Sequence, residues 1–224
     1  METIAHFSEV FVGAVWGLPM VFLLFGSGLV FTLYLGFPQF RLSKHSVDII
    51  AGKYDKPEDK GEISHFQALC AALSATIGLG NIAGVAVAIT AGGPGAVFWM
   101  WIAGLLGMAT KFTSISLSMI FRTQNKESGH MHGGPMYTIK NGLGKGFYPL
   151  AIMFAVFTIA GAFGAGNMFQ SNQMASMLST FSVPNWVTGI IFALLTGVVL
   201  VGGIQRIGNV AAKLVPSMVV IYFL

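Results

Sequence analysis

The sequence predicts an all-α, polytopic membrane protein, and three observations lead to this class. Hydrophobic residues make up 54% of the 224 residues and charged residues only 9%, against about 25% charged in ordinary soluble domains. The charges are concentrated in short polar stretches that separate long uncharged runs. Each run is long enough for one or two helices that cross the hydrocarbon core of a bilayer, which takes about 20 residues per helix.

Six apolar helices are expected from the spacing of charges and turn signals. The first covers residues 10–36, with a kink at Pro19, and a polar loop over 38–64 follows it. Residues 63–110 contain no Asp, Glu, Lys or Arg, and the Gly-Gly-Pro-Gly turn at 92–95 divides that run in two. The two helices on either side of this turn are expected near residues 65–90 and 96–121. The remaining three are expected near 147–180, near 186–203 and from about 209.

The distribution of Lys and Arg predicts the orientation of these helices. Five basic residues lie in 38–64, four in 122–146 and two in 204–213, whereas the turns at 91–95 and 181–185 have none. All three basic segments fall on the same side, which the positive-inside rule makes cytoplasmic. The N-terminus is then outside and the protein is expected in the plasma membrane. We divide the chain into an N-terminal transmembrane helix (1–37), a cytoplasmic loop (38–64) and a helical core (65–224).

Several functions are disfavoured by what the sequence lacks. Cys70 is the single cysteine and lies in an apolar run, so it predicts a buried, inert thiol and no internal disulfide. The pair His130 and His132 has no third ligand type nearby, so we favour a loop packed against the membrane face over a metal site. The basic residues form no patch for nucleic acid. No nucleophile–base–acid set is present, so we expect neither an enzyme nor an organic cofactor.

The stretch Ser74–Gly84 (SATIGLGNIAG) is the most informative feature, because it interrupts an apolar run with glycines, hydroxyls and an amide. A helix that breaks inside a membrane exposes backbone polar groups, which is tolerated only against protein or a watery cavity. Two half-helices meeting at Gly78–Gly80 present N–H groups that attract a carboxylate and carbonyls that attract a cation. Thr76 and Asn81 add neutral oxygens suited to Na⁺. Close helix packing through Gly84 is the alternative interpretation.

A second polar cluster, Gly161–Gln173, lies in the long helix near 147–180. Asn167 and Gln170 are three residues apart and therefore share a face. Gly164 and Gly166 keep this helix slim, so the space beside it suits a small ligand such as a small amino acid. Contacts with neighbouring helices are an equally good explanation for the three polar residues that end the cluster, Ser171, Asn172 and Gln173.

Three motifs together resemble one family. They are GLGNIAGV at 78–85, GPGAVFWMWIAG at 93–104 and GGPMY at 133–137, and the chain is similar through them to the alanine or glycine:cation symporter family. The resemblance implies sodium-coupled uptake of alanine or glycine by alternating access. It also implies a LeuT-type inverted-repeat fold with one extra N-terminal helix, of which only the first five-helix repeat is present here.

The resemblance assigns roles to the residues of both clusters. The backbone N–H groups of Leu79 and Gly80 would hold the substrate carboxylate. Residues beside the break and in the second cluster would complete the pocket: Thr76, Gly78, Asn81, Gly164, Gly166, Asn167 and Gln170. One sodium would meet the Thr76 carbonyl and the Asn81 side chain. A second sodium would meet the carbonyls of Ser74 and Ile77.

Two further expectations concern the coupling ion and the extent of the chain. None of the predicted helices contains Asp or Glu, which favours Na⁺ because proton-coupled carriers usually keep an ionisable group in the membrane. A proton-coupled carrier, a non-transporting membrane subunit and a channel-like protein remain as alternatives. Family members need a second repeat, so we expect these 224 residues to be an incomplete fragment that partners the missing C-terminal half and does not transport alone.

Overall fold

A computed structural model describes residues 2–55, 61–125 and 129–224. They form twelve α-helices and one short strand pair. The first seven helices are α1 Glu2–Val15, α2 Leu18–Tyr34, α3 Pro38–Arg41, α4 Ser43–Ile50, α5 His65–Thr76, α6 Leu79–Gly92 and α7 Gly95–Ile120. After them come β1 Thr123–Gln124, β2 Met131–His132, α8 Pro135–Gly142, α9 Tyr148–Gly161, a π-helical segment Ala162–Met168, α10 Phe169–Ser179, α11 Asn185–Leu200 and α12 Gly203–Phe223.

The apolar helices agree in number and place with most of the predicted spans. Among the described residues, four helical segments are long and apolar enough to cross a membrane: His6–Tyr34, Gly95–Ile120, Lys145–Ser179 and Gly203–Phe223. The bent pair α5 and α6 makes a fifth span if it is counted as one. The remaining expected helix, near 186–203, is α11, which has only 16 residues. The chain is therefore a multi-pass, all-helical membrane protein.

The first span differs in detail from the prediction. It begins earlier than residue 10, because His6 and Glu9 do not end a helix even though they end the apolar run. Its interruption falls at Trp16–Gly17 rather than at Pro19. Pro19 lies in the first turn of α2 instead, where its missing N–H costs no helical hydrogen bond.

Helix α2 packs closely against α7. A Cβ on Gly28 would lie 2.8 Å from Leu106 Cβ, so a glycine is needed for this approach. At the end of α2, the Gln39 amide nitrogen donates to Thr32 Oγ1 at 3.1 Å and to the Leu105 carbonyl at 3.0 Å. The N-terminal helix is thereby attached to α7.

Helix α5 packs instead against α12. Cys70, Ala211 and Val215 are buried at the centre of this contact, which confirms the prediction of a buried thiol. Near the start of α5, the Gln67 amide nitrogen donates to Asn209 Oδ1 at 2.7 Å. Helix α12 begins at Gly203 and not near 209 as predicted, because Arg206 marks a water interface and does not prevent a helix from starting before it.

The polar segments between the spans contain regular structure and are tied together. The expected loop 122–146 holds a strand pair and helix α8, which packs on α7 and α9. His130 pairs with Glu62 at 2.8 Å and so joins the two polar segments, and His65 at the start of α5 pairs with Asp55 at 2.5 Å. Three of the basic residues used to predict orientation lie outside the described residues, namely Lys56, Lys60 and Lys126.

Candidate functional site

The predicted break is present between α5 and α6, whose axes differ by 43°. Helix α5 ends at Thr76, and Gly78 adopts an extended conformation with φ −142° and ψ 175°. The Gly78 N–H donates to the Thr76 carbonyl at 3.0 Å, which is a tight turn and not a helical bond. The apolar run is therefore one span made of two half-helices.

The break leaves the two carbonyls that were assigned to the second sodium without their helical partners. In a continuous helix the Ser74 carbonyl would accept from the Gly78 N–H, and the Ile77 carbonyl from the Asn81 N–H. Here the Gly78 N–H turns to the Thr76 carbonyl, and the Asn81 N–H donates to the Gly78 carbonyl at 3.1 Å. Both carbonyl oxygens are thereby released for other contacts at the same bend.

Side-chain hydroxyls at the end of α5 are already satisfied. Ser74 Oγ donates to the Ala71 carbonyl at 2.7 Å, and Thr76 Oγ1 donates to the Ala72 carbonyl at 3.0 Å. Such bonds to the preceding turn are the usual solution for Ser and Thr inside helices. The groups available at the break are therefore mainly backbone carbonyls and not hydroxyls.

Asn81 bridges the two half-helices. Its amide nitrogen donates to the Thr76 carbonyl, so the two groups predicted to share one sodium lie side by side. Asn81 and Thr76 are both exposed, whereas Ile77 and Gly78 between them are half-buried. Leu79 and Gly80 stand in the first turn of α6, where backbone N–H groups have no intrahelical acceptor.

The second polar cluster coincides with a change of helix type that the sequence analysis missed. Residues Ala162–Met168 form a π-helical segment between α9 and α10. Such segments add a residue to a turn and occur often at functional sites. In the sequence, this segment is marked by three glycines, at 161, 164 and 166, next to the polar Asn167.

Gln170 is the residue that brings the two clusters together. Its amide nitrogen lies 3.8 Å from the position that a Cβ on Gly78 would occupy, and the residue is half-buried. Asn167 accepts a hydrogen bond from Ser171 Oγ at 3.3 Å within the same helix. Gly164 has open space around it, while Gly166 lies near the Gly161 carbonyl. The structure thus places Gln170 beside the break, while the hydrogen bond of Asn167 stays within its own helix.

The two halves of the broken span have different neighbours. Helix α5 packs on α12 and α4, and α6 packs on α7. A change of the bend at Ile77–Gly78 would therefore move α5 with α12 relative to α6 with α7. A cavity of about 1010 Å³ lies away from the break, between the start of α5 and the residues Arg122, His130 and Met131.

The two histidines of the His-x-His pair have separate partners. His130 pairs with Glu62, while His132 stacks on Tyr137 with ring centroids 6.1 Å apart. The described part of the chain contains no group of three His, Cys, Asp or Glu side chains placed to hold a metal ion. The two rings of the pair therefore contact different groups in this loop.

A multi-pass helical protein with a broken span and polar groups gathered at the break has the features of secondary transporters. The comparison with known proteins gives the same class. Residues 1–224 match the Sodium:alanine symporter family, and the chain belongs to that family.

Individual relatives cover nearly all of the chain. It is 45% identical over 214 residues to the sodium/alanine symporter AgcS of Methanococcus maripaludis, which is 94% of this chain and 47% of that protein. It is 47% identical over 210 residues to an uncharacterized transporter of Haemophilus influenzae, 93% of this chain and 45% of that one. It is 38% identical over 210 residues to the putative sodium/proton-dependent alanine carrier YrbD of Bacillus subtilis, with shares of 93% and 42%. The chain thus spans about half the length of these relatives.

Proposed function

We propose that this protein takes part in sodium-coupled symport of a small neutral amino acid, alanine or glycine, across the plasma membrane by alternating access. The observation that carries the proposal is the break at Ile77–Gly78, where released carbonyls, the Asn81 amide and Gln170 meet within a span of a sodium:alanine symporter family member. Residues 65–224 would form the first repeat of a LeuT-type core, preceded by the extra helix α1–α2.

The substrate is proposed to bind on the α6 side of the break. Its carboxylate would accept hydrogen bonds from the N–H groups of Leu79 and Gly80, at the positive end of the α6 dipole. Gln170 stands opposite Gly78 and would close the pocket. The remaining proposed lining residues are Thr76, Asn81, Gly164, Gly166 and Asn167.

The sodium ions are proposed to bind on the α5 side. Carbonyl and amide oxygens are suitable neutral ligands for Na⁺, and the C-terminal end of α5 carries the negative end of its dipole. One ion would bind the Thr76 carbonyl and Asn81 Oδ1, which requires the Asn81 amide to turn its oxygen toward the position where its nitrogen now donates. The second ion would bind the released carbonyls of Ser74 and Ile77.

Sodium is favoured over protons as the coupling ion. The prediction that no helix contains an acid is wrong for the first span, because Glu9 lies near the N-terminal end of His6–Tyr34. Residues 63–224 contain a single carboxylate side chain, Glu127, in the segment between α7 and α8. A proton-coupled carrier usually needs a titratable group within the membrane. The same carbonyl-rich break has no group that could exchange a proton near neutral pH.

The proposal is tested by titrating the purified protein, in full-length form, with alanine in detergent, in NaCl and in an equal concentration of choline chloride. We expect alanine to bind only with Na⁺. Equal binding in both salts that strengthens at acidic pH would replace sodium by protons. A complete lack of alanine and glycine binding in either salt would contradict the proposal and favour a non-transporting subunit or a channel-like protein.

A further inference from the structure

An apolar groove lies where α11 turns into α12, away from the break. Its volume is about 410 Å³ and its lining consists of Ala193, Leu194, Gly197, Val198, Val201 and Arg206. The four α11 residues and Val201 in the turn share one helix face, because they recur at intervals of three and four. Gly197 keeps this groove open, since no atom lies within 4 Å of the position that its Cβ would take.

Arg206 is held at the end of the groove by the shape of the turn. A Cβ on Gly202 would lie 2.5 Å from Arg206 Cβ and 2.8 Å from Arg206 Cγ. The aliphatic stem of the arginine therefore folds back over a glycine that leaves room for it. The backbone of Gly202 is ordinary for any residue, with φ −84° and ψ 4°, so the arginine stem and not the turn is what requires a glycine here.

The guanidinium of Arg206 has no anionic partner within this region. It forms no ion pair with any residue that the structure describes, and residues 128–224 contain neither Asp nor Glu. The first turn of α12 adds N–H groups without intrahelical acceptors at the same end. A positive charge thus stands at the mouth of an apolar groove, at the boundary between an uncharged run and water.

We propose that this groove binds one anionic phospholipid. The acyl chain would lie along the α11 face from residue 193 to 201, a distance of about 12 Å at the helical rise. The phosphate would accept hydrogen bonds from the Arg206 guanidinium, as phosphates do from arginine generally. Basic pockets between membrane helices are known sites for anionic head groups. A lipid supplies both the apolar chain and the negative charge, which a neutral helix of another protein does not.

The test is native mass spectrometry of the delipidated protein titrated with dioleoylphosphatidylglycerol. We expect one lipid to bind more tightly than dioleoylphosphatidylcholine. Arg206→Gln should weaken phosphatidylglycerol about fivefold, the attraction of one basic residue for an anionic lipid. Gly197→Leu fills the groove without changing the charge and should weaken binding to a similar extent. Lys145→Gln is the matched control, because it removes a charge before α9 that lies outside the groove, and it should bind as the unsubstituted protein does.

Three outcomes would overturn the proposal. Unchanged phosphatidylglycerol affinity in both Arg206→Gln and Gly197→Leu would show that the lipid binds elsewhere. Equal competition by glycerol phosphate would show that a free phosphate is recognised, without the acyl chain. A dimer that dissociates in Gly197→Leu, with lipid binding unaffected, would show that a second copy of the chain covers the groove. The circular dichroism spectrum of each variant verifies that it is folded.

Discussion

Asn81 is the residue that joins the two half-helices across the break. Its amide nitrogen donates to the Thr76 carbonyl oxygen. The amide thus takes the place that a bound cation would have beside this oxygen. A neutral amide is suited to both roles because it carries a donor and an acceptor on one side chain. A substitution at Asn81 therefore removes the proposed ion ligand and the bridge across the break together.

We predict that Asn81→Ala lowers alanine affinity in NaCl by at least tenfold, about 1.4 kcal/mol, because both the proposed ion ligand and the bridge across the break are lost. Titration calorimetry in NaCl and in choline chloride measures the effect. Asn185→Ala, an exposed asparagine at the start of α11, is the control and should bind as the unsubstituted protein does. Unchanged sodium dependence in Asn81→Ala would remove this residue from the site.

At Gly78 the backbone conformation and the space for a side chain make different demands on the residue. Its extended φ and ψ are accessible to any residue, and a Cβ there would meet only ordinary contacts, 3.7 Å from the Ala75 carbonyl and 3.8 Å from Gln170 Nε2. Folding does not require a glycine at this position. An added methyl would, however, occupy space in the proposed pocket beside Gln170.

Gly78→Ala is therefore expected to fold normally and to bind alanine more weakly than glycine, because the new methyl occupies part of the pocket opposite Gln170. The ratio of glycine to alanine affinity should rise about tenfold, within the range for one methyl group in a small pocket. Competition binding measures that ratio. Gly84→Ala, which has open space around it in the same half-helix, should leave the ratio unchanged; an identical shift in both variants would point to a general effect on α6.

At the scale of the element, the broken span consists of two helices with different attachments. Helix α5 is anchored to α12 through Cys70, Ala211, Val215 and the Gln67–Asn209 hydrogen bond. Small residues allow this close approach: a Cβ on Gly208 would lie 3.2 Å from Ile63 Cγ2 and 3.4 Å from Gln67 Cβ. The buried thiol of Cys70 reports on this interface, since it is the protein's single cysteine.

A bulky residue at 208 should separate α12 from α5 and expose that thiol. We predict that Gly208→Leu increases the rate of Cys70 labelling by a small maleimide at least tenfold, while the unsubstituted protein labels slowly because Cys70 is 2% exposed. Mass spectrometry follows the labelling over time. Gly189→Leu, at a glycine of α11 with open space around it, provides the comparison and should label slowly. Slow labelling of both variants would show that α5 and α12 remain in contact.

At the scale of the whole molecule, the basic segments at one end of the helices predict how the protein lies in the membrane. The described segments with Lys53, Arg122 and Lys140 lie between spans on the predicted cytoplasmic side, and Arg206 lies in the first turn of α12 at the same end. The turn between α10 and α11 has no basic residue and would face the outside. This orientation places the α5 half of the break toward the cytoplasm.

Cysteine scanning in intact cells tests that orientation, in a Cys70→Ser background. A membrane-impermeant maleimide should label Asn185→Cys, at the outer turn, and should label Lys53→Cys only after the cells are permeabilised. Both positions are exposed, so accessibility of the side chain is not limiting. Labelling of Lys53→Cys in intact cells, with Asn185→Cys protected, would reverse the predicted orientation.

Most of the secondary structure followed from local sequence, and several positions show why the rest did not. The turns at Gly93 and Ser182 and the bounds of α7 agree with the prediction, because charges and helix-breaking residues act locally. The interruption at Trp16–Gly17, the start of α12 at Gly203 and helix α8 were missed. In each case the prediction ended or bent a helix at a charged residue or a proline. In the structure these residues lie within a helix or in its first turn.

The sequence by itself determined that this is a multi-pass helical protein of the sodium:alanine symporter family, and that one span breaks at Gly78. Uncharged length, glycine spacing and family motifs are properties of the linear chain. Only the tertiary structure decided that Gln170 lies beside that break and that α5 and α6 are held by different helices. The π-helical segment that precedes Gln170 was likewise seen only in the structure. These contacts join residues far apart in the chain, and close packing of whole helices rather than any local preference selects them.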